Sequence, residues 1–190
     1  PGAHLLSTLR RELGQLPMLA EDLGLVTQEV TELREQFGLP GMRILQFAFG
    51  QGDDGLIYRP HSYDPNTFVY TGTHDNDTVQ GWLESGQGRR PNRQARASAA
   101  KAWDYAGHVQ DEPFHWAMIR LALSSVARTA IFPVQDVLGL GGDARMNMPG
   151  TAFGNWSWRL QPKALTASSA RRLLELNDRY DRLRHLPTSR

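Results

Sequence analysis

The sequence predicts an α/β fold in which short parallel strands alternate with helices, as in the C-terminal half of a (β/α)8 TIM-type barrel. Three observations predict it. Four brief apolar runs each stop at polar residues or glycine, and helices fill the segments between them. The runs are too short and too apolar for half-exposed strands, which suits a parallel sheet covered by helices. The acids Glu21, Asp75 and Asp136 stand at the carboxyl ends of runs, where barrel enzymes place their chemistry. An open doubly wound sheet also binds at carboxyl ends, but usually with a glycine-rich phosphate turn after its first strand. No such turn follows Ala20. Four repeats cannot close a barrel. Residues 1–190 are therefore read as the C-terminal portion of one, with the N-terminal half absent and no initiating methionine before Pro1.

The elements follow in order. Leu6, Leu9 and Leu13 recur at helical spacing and Gly14 ends that helix. The first apolar run is Leu16–Ala20, stopping at Glu21-Asp22. Thr27 is placed to cap a helix with Val30, Leu33 and Phe37 inward, closed by Gly38 and Pro40. The second run is Met42–Phe49; the third, Thr67–Thr71, leads into Gly72-Thr73-His74-Asp75-Asn76-Asp77. Asp77 can cap a helix over Thr78–Glu84, and Ala95–Ala106 is alanine-rich. Pro113 suits the first turn of a helix running to Arg128, before the fourth run, Thr129–Val134. The last helix, Ala167–Leu186, turns Leu173, Leu176, Tyr180 and Leu183 inward and five arginines outward.

Composition sets the outer limits. The chain has 190 residues, 40% hydrophobic and 22% charged, with net charge +1. That is ordinary globular usage, not a disordered tail. No apolar run reaches the length of a membrane span and no signal peptide opens the chain, so no membrane partner is expected. The absence of cysteine excludes disulfides, thiolate metal sites and cysteine nucleophiles, and on that ground a cytoplasmic protein is expected. Arg89, Arg90, Arg93 and Arg96 form the densest basic run, read as a solvated loop rather than a nucleic-acid surface.

Several chemistries find little support. Gly139-Leu140-Gly141-Gly142-Asp143-Ala144 fits a relaxed dinucleotide pattern, yet the next acid is Glu175, too far on to hold a ribose. The six histidines are scattered singly, so no metal and no cofactor is expected. Asp75-Asn76-Asp77 lacks the later residues of a calcium loop, though a sugar-nucleotide clamp is conceivable. No G-x-S-x-G elbow is present.

The carboxylates carry more. Two carboxyl groups facing one cleft can divide the work of glycoside chemistry, one protonating a glycosidic oxygen and the other stabilising an oxocarbenium-like centre. Glu21 and Asp75 are the candidates. The bland alternative makes Glu21, Asp22, Asp75 and Asp77 caps of following elements; Asp77 looks the truer cap, which leaves Asp75 without a structural task. Tyr58, Tyr63, Tyr70, Trp82, Phe153, Trp156 and Trp158 fall near predicted loops and offer platforms for sugar faces. The alternation of Trp156 and Trp158 equally suits a packed edge. Trp103 and Trp116 belong to the core.

Six blocks resemble glycoside hydrolase family 77, the amylomaltases or 4-α-glucanotransferases. They are Leu19-Ala20-Glu21-Asp22-Leu23-Gly24, Phe37-Gly38-Leu39-Pro40-Gly41-Met42, Tyr70-Thr71-Gly72-Thr73-His74-Asp75-Asn76-Asp77-Thr78, Gln135-Asp136-Val137-Leu138-Gly139-Leu140-Gly141, Ala144-Arg145-Met146-Asn147 and Asn155-Trp156-Ser157-Trp158-Arg159-Leu160. The resemblance implies a retaining transferase that moves α-1,4-glucan segments between maltooligosaccharides through a covalent glucosyl-enzyme. It implies Glu21 as general acid/base, Asp75 as transition-state stabiliser, His74 as a sugar ligand, and Asn147 and Asn155 near the substrate. The family's nucleophilic aspartate lies in an upstream Arg-x-Asp-His block, and none of the residues before Glu21 is an aspartate. The chain alone is therefore expected to be inactive and to need the missing N-terminal half. At Arg59-Pro60-His61-Ser62-Tyr63 the family often shows Leu-Pro-His-Asn-Tyr. A non-catalytic glucan-binding fragment and a nucleotide-sugar transferase are the alternatives.

Overall fold

The computed structural model of the chain describes residues 1–15, 17–50, 53–85 and 92–183. Leu16 of the first run, Arg89 and Arg90 of the basic run and the last helix beyond Leu183 lie outside the described residues.

Three short strands, β1 (Gly41–Ile44), β2 (Thr67–Tyr70) and β3 (Thr129–Ile131), form a parallel sheet in the order β1-β2-β3. Met42 lies opposite Phe68, and Phe68 opposite Thr129. Seven α-helices surround or precede the sheet among the described residues: α1 (Gly2–Leu13), α2 (Gln28–Gln36), α3 (Val79–Glu84), α4 (Arg93–Ala106), α5 (Phe114–Ser124), α6 (Val134–Leu138) and α7 (Ala167–Arg179). None of them is long and apolar enough to cross a membrane.

Strand alternation divides the sheet into two faces. Thr67 and Val69 of β2 are buried, while Phe68 and Tyr70 are only half-buried. Val69 joins Leu45, Val79, Trp82, Phe114 and Met118 in a core beneath α3, α4 and α5. Helix α5 is apolar on two sides. Its Trp116, Ile119 and Leu123 meet Val137 of α6 and Leu176 of α7 in a second cluster.

Several expectations are corrected. Residues 17–20 form no strand; the segment makes one backbone bond to the sheet's neighbourhood, Ala20 N–H to Pro40 O at 2.9 Å. The second run is a strand only to Ile44 and then tightens into a 3-10 turn, Leu45–Phe47. The strands are not buried on both faces, since Ile131 is 40% exposed. Tyr63 and Trp82, placed near loops by the sequence, are core residues, whereas Phe153 and Trp156 are exposed. Val30 of α2 is exposed and Phe37 buried. Two of the arginines expected to face outward on or after α7 are tied down. Arg172 lies over the Trp116 ring, 4.6 Å from its centroid. Arg182 donates to the carbonyls of Leu123, Ser125 and Ala127 at 3.0, 2.7 and 2.7 Å, closing the end of α5.

Candidate active site

A cavity of about 470 Å³ opens at the carboxyl ends of the three strands. Its floor comes from the half-buried sheet face, Met42, Tyr70 and Ile131; Glu21, His74 and Asp75 stand on its walls. Two carboxylates more than fifty positions apart in the chain thus share one cleft.

Glu21 gets there because its neighbour is pinned. The Asp22 carboxylate is buried and accepts the Met42 amide at 2.6 Å and Arg43 Nη1 at 3.0 Å, with Arg34 Nε 3.6 Å away. Gly41 makes this approach possible, because a Cβ there would collide with the Asp22 carboxylate. Asp22 is therefore an anchor between the 17–24 segment, β1 and α2, and the next helix begins only at Gln28. Neither acid is a helix cap. Glu21 itself is exposed toward the cavity.

The loop 71–78, between β2 and α3, carries the second carboxylate. Thr73 donates its amide and its hydroxyl to Asn76 Oδ1, both at 2.9 Å, forming the turn that lifts His74 and Asp75 outward. Gln46 Nε2 donates to the Asp77 carbonyl at 2.8 Å. Thr78, not Asp77, caps α3: its hydroxyl accepts the Gly81 amide at 2.9 Å, while Asp77 Oδ1 accepts the Thr78 amide. Burial pushes the Asp77 carboxyl up, against the opposing pull of the Thr78 amide and Arg145. At the loop's base sits Asp136. It belongs to α6 rather than to the end of a strand, and is 1% exposed. It accepts the Thr71 hydroxyl at 2.6 Å and the Val79 amide at 2.8 Å. Burial pushes its carboxyl up to about 6, the two hydrogen bonds oppose this, and Asp77 adds to it.

Asn147 meets the site directly. Its Nδ2 donates to Asp75 Oδ1 at 2.6 Å and its amide donates to the His74 carbonyl at 3.1 Å. Arg145 Nη2 reaches the Asp75 carbonyl at 2.6 Å. His74 Nε2 lies 3.4 Å from Asp75 Oδ1. Asn155 does not join them: it accepts the Met148 amide and donates to Thr151, shaping the loop before Trp156. Trp156 holds a left-handed backbone with φ +59°, and its ring stands 4.9 Å from that of His74. The two rings line a second cavity of about 230 Å³, beside the first and bordered by Asp77, Gln135 and Arg145. Sequence reasoning had no means of finding the anchoring by Asp22 or Asp136, although both acids follow an apolar stretch. It also missed Arg145, whose contact spans seventy positions. Among the described residues no group of three or more histidines and carboxylates converges as metal ligands would. What the arrangement offers is two exposed carboxylates, one of them held by an amide donor, beside an imidazole and an indole.

Comparison with known proteins places these residues in a wider set. The family model described as 4-alpha-glucanotransferase matches residues 1–166. The chain is 46% identical to a 4-alpha-glucanotransferase of Synechocystis over 184 residues, covering 96% of this chain and 35% of that protein. It is 45% identical to that of Thermus thermophilus, covering 96% of this chain and 36% of the relative. Among solved structures, an amylomaltase from Streptococcus agalactiae in complex with acarbose superimposes with a TM-score of 0.85 at 35% identity. It covers 97% of this chain and 36% of the other. The chain thus spans about a third of the length of these relatives.

Proposed function

The chain belongs to the 4-alpha-glucanotransferase family, and from that membership we propose that it carries the acid/base and stabilising half of a retaining α-1,4-glucan transfer site. The observation that carries this reading is the convergence of Glu21, His74 and Asp75 on one cavity at the carboxyl ends of parallel strands. The half-buried sheet face supports a further reading, that these strands are the C-terminal half of a (β/α)8 barrel and that this face points to its axis.

In this mechanism Glu21 protonates the leaving glycosidic oxygen and then, ionised, takes the proton of the incoming 4-hydroxyl. Its exposed place on the cavity wall gives it access to both. Asp75 supplies negative charge opposite the developing oxocarbenium ion, and the Asn147 amide fixes one of its oxygens. His74 lies against the same sugar as a hydrogen-bonding partner. On this reading the nucleophilic carboxylate is supplied from outside residues 1–190, since the relatives are about three times as long as the span matched here. The substrates are maltooligosaccharides, with acarbose in the Streptococcus agalactiae complex as a chemical precedent. Asn155 acts one step back, by shaping the Trp156 loop.

The test separates leaving groups. In the protein at its natural full length, Glu21→Gln should slow transfer from maltotriose by about 10²–10⁴-fold. A maltosyl fluoride donor, whose leaving group needs no protonation, should lose far less in the first step. Equal losses on the two donors would remove Glu21 from the acid's role.

A further inference from the structure

Asp136 has no part in the chemistry just described, yet it is the most deeply buried charged residue among those described. A carboxylate is a costly group to bury. What it provides here is two acceptor oxygens used separately: Oδ2 takes the Thr71 hydroxyl and Oδ1 the Val79 amide. Thr71 is the first residue after β2, and Val79 is the first residue of α3. One side chain therefore fastens both ends of the loop that carries His74 and Asp75. The α3 terminus already has a cap in Thr78, so capping alone does not account for the second acceptor. The support is rigid, because the next residue, Val137, packs in the second core cluster with Trp116 and Leu176.

We infer that Asp136 is a positioning residue: by clasping both ends of loop 71–78 it sets where the His74 ring and the Asp75 carboxylate stand in the cavity, without touching substrate. The inference rests on the reading of that cavity as a glucan-transfer site.

Two measurements test it. In the full-length protein, Thr71→Val removes the hydroxyl while keeping the shape, and Thr71→Ser restores it. Thr71→Val should lower kcat for maltotriose disproportionation by about tenfold to hundredfold, the scale set by a misplaced catalytic group, with little change in KM. Thr71→Ser should recover most of the rate, and Asp136→Ala should lose at least as much as Thr71→Val. Trp103→Leu, on α4 against His108 and Phe114 and outside the cluster that supports Asp136, should lower stability and leave kcat unchanged. Amide hydrogen exchange gives the second readout. In Thr71→Val and Asp136→Ala the amides of residues 72–79 should exchange about tenfold faster while those of β1 and α5 do not change. Unchanged loop exchange overturns the clasp. Faster exchange with an unchanged kcat overturns the positioning role, and so does a kcat loss that Trp103→Leu reproduces. A wild type with no transfer activity overturns the functional reading instead, and the exchange result then decides the clasp alone.

Discussion

Replacing Asp136 by asparagine should change the pH dependence of stability in a calculable way. The folded carboxyl titrates at about 6 and the ordinary aspartate value is 3.8. Below pH 3.8 both folded and unfolded states are protonated there and the group has no net effect. Between 3.8 and 6 the folded state binds the extra proton, so stability falls as pH rises through that window and stays lower above it. At about 1.4 kcal/mol for each pH unit of difference, the loss is about 3 kcal/mol by pH 7. Asparagine matches the shape. Its oxygen can accept the Val79 amide and its nitrogen can face the Thr71 oxygen, without a charge to desolvate. Urea unfolding of residues 1–190, followed by the fluorescence of the buried Trp82 and Trp116, gives the stability of each form from pH 3.5 to 8. The wild type minus Asp136→Asn difference should fall by about 2 kcal/mol between pH 4 and 7, and the variant should gain relative stability at neutral pH. A difference independent of pH, or one that grows with pH, would refute the argument that burial outweighs the two hydrogen bonds.

Two other outcomes are expected. Trp156→Ala removes the ring packed beside His74; aromatic contacts of this kind are worth about 0.5–1.5 kcal/mol, so KM for maltotriose in the full-length protein should rise about twofold to tenfold with kcat nearly constant, as steady-state kinetics would show. Residues 1–190 alone should give no disproportionation of maltotriose, because the proposed double displacement needs a nucleophile from outside this span; ordinary turnover by the isolated chain would place that nucleophile within it.

Much of this architecture was legible in the sequence, for reasons that individual elements make plain. Helices α1 and α7 announce themselves by periodicity, α4 by its alanines and α5 by Pro113 at its first turn, and Gly14 ends α1 with φ +76°. The run 67–71 reads as a strand because β-branched and aromatic residues alternate there within a short span. The run 42–49 misleads, since an apolar stretch of that length does not reveal where a strand gives way to a 3-10 turn. Residues 17–20 mislead in the same manner: they are apolar but pair in no ladder, and Leu19 lines the cavity instead. At the α3 terminus Asp77 and Thr78 are both good caps by composition, and backbone geometry decides between them. The convergence of Glu21 and Asp75 was readable because each follows an apolar run toward a common end of the sheet. The tasks of Asp22, Asp136 and Arg145 were not, because their partners lie 20 to 70 positions away and local spacing carries no record of them.

The parallel register has a consequence for the spacing of the site. The Glu21 segment is referenced to β1, through Asp22 at Met42 and Ala20 at Pro40. The His74–Asp75 turn is referenced to the end of β2. The pairing of Met42 with Phe68 and Ile44 with Tyr70 is therefore a gauge block between the two carboxylates. A slip of one residue would turn the side chains of one strand over, and a slip of two would shift one carboxylate past the other by about 6.6 Å, more than a glycosidic bond can bridge. Chain length added between Phe47 and Asn66 leaves this gauge untouched, whereas a single residue inserted within either strand breaks it. Tolerance to insertion should thus change sharply at the strand boundaries, and the spacing of the two carboxylates is inherited from backbone pairing rather than from any contact between them.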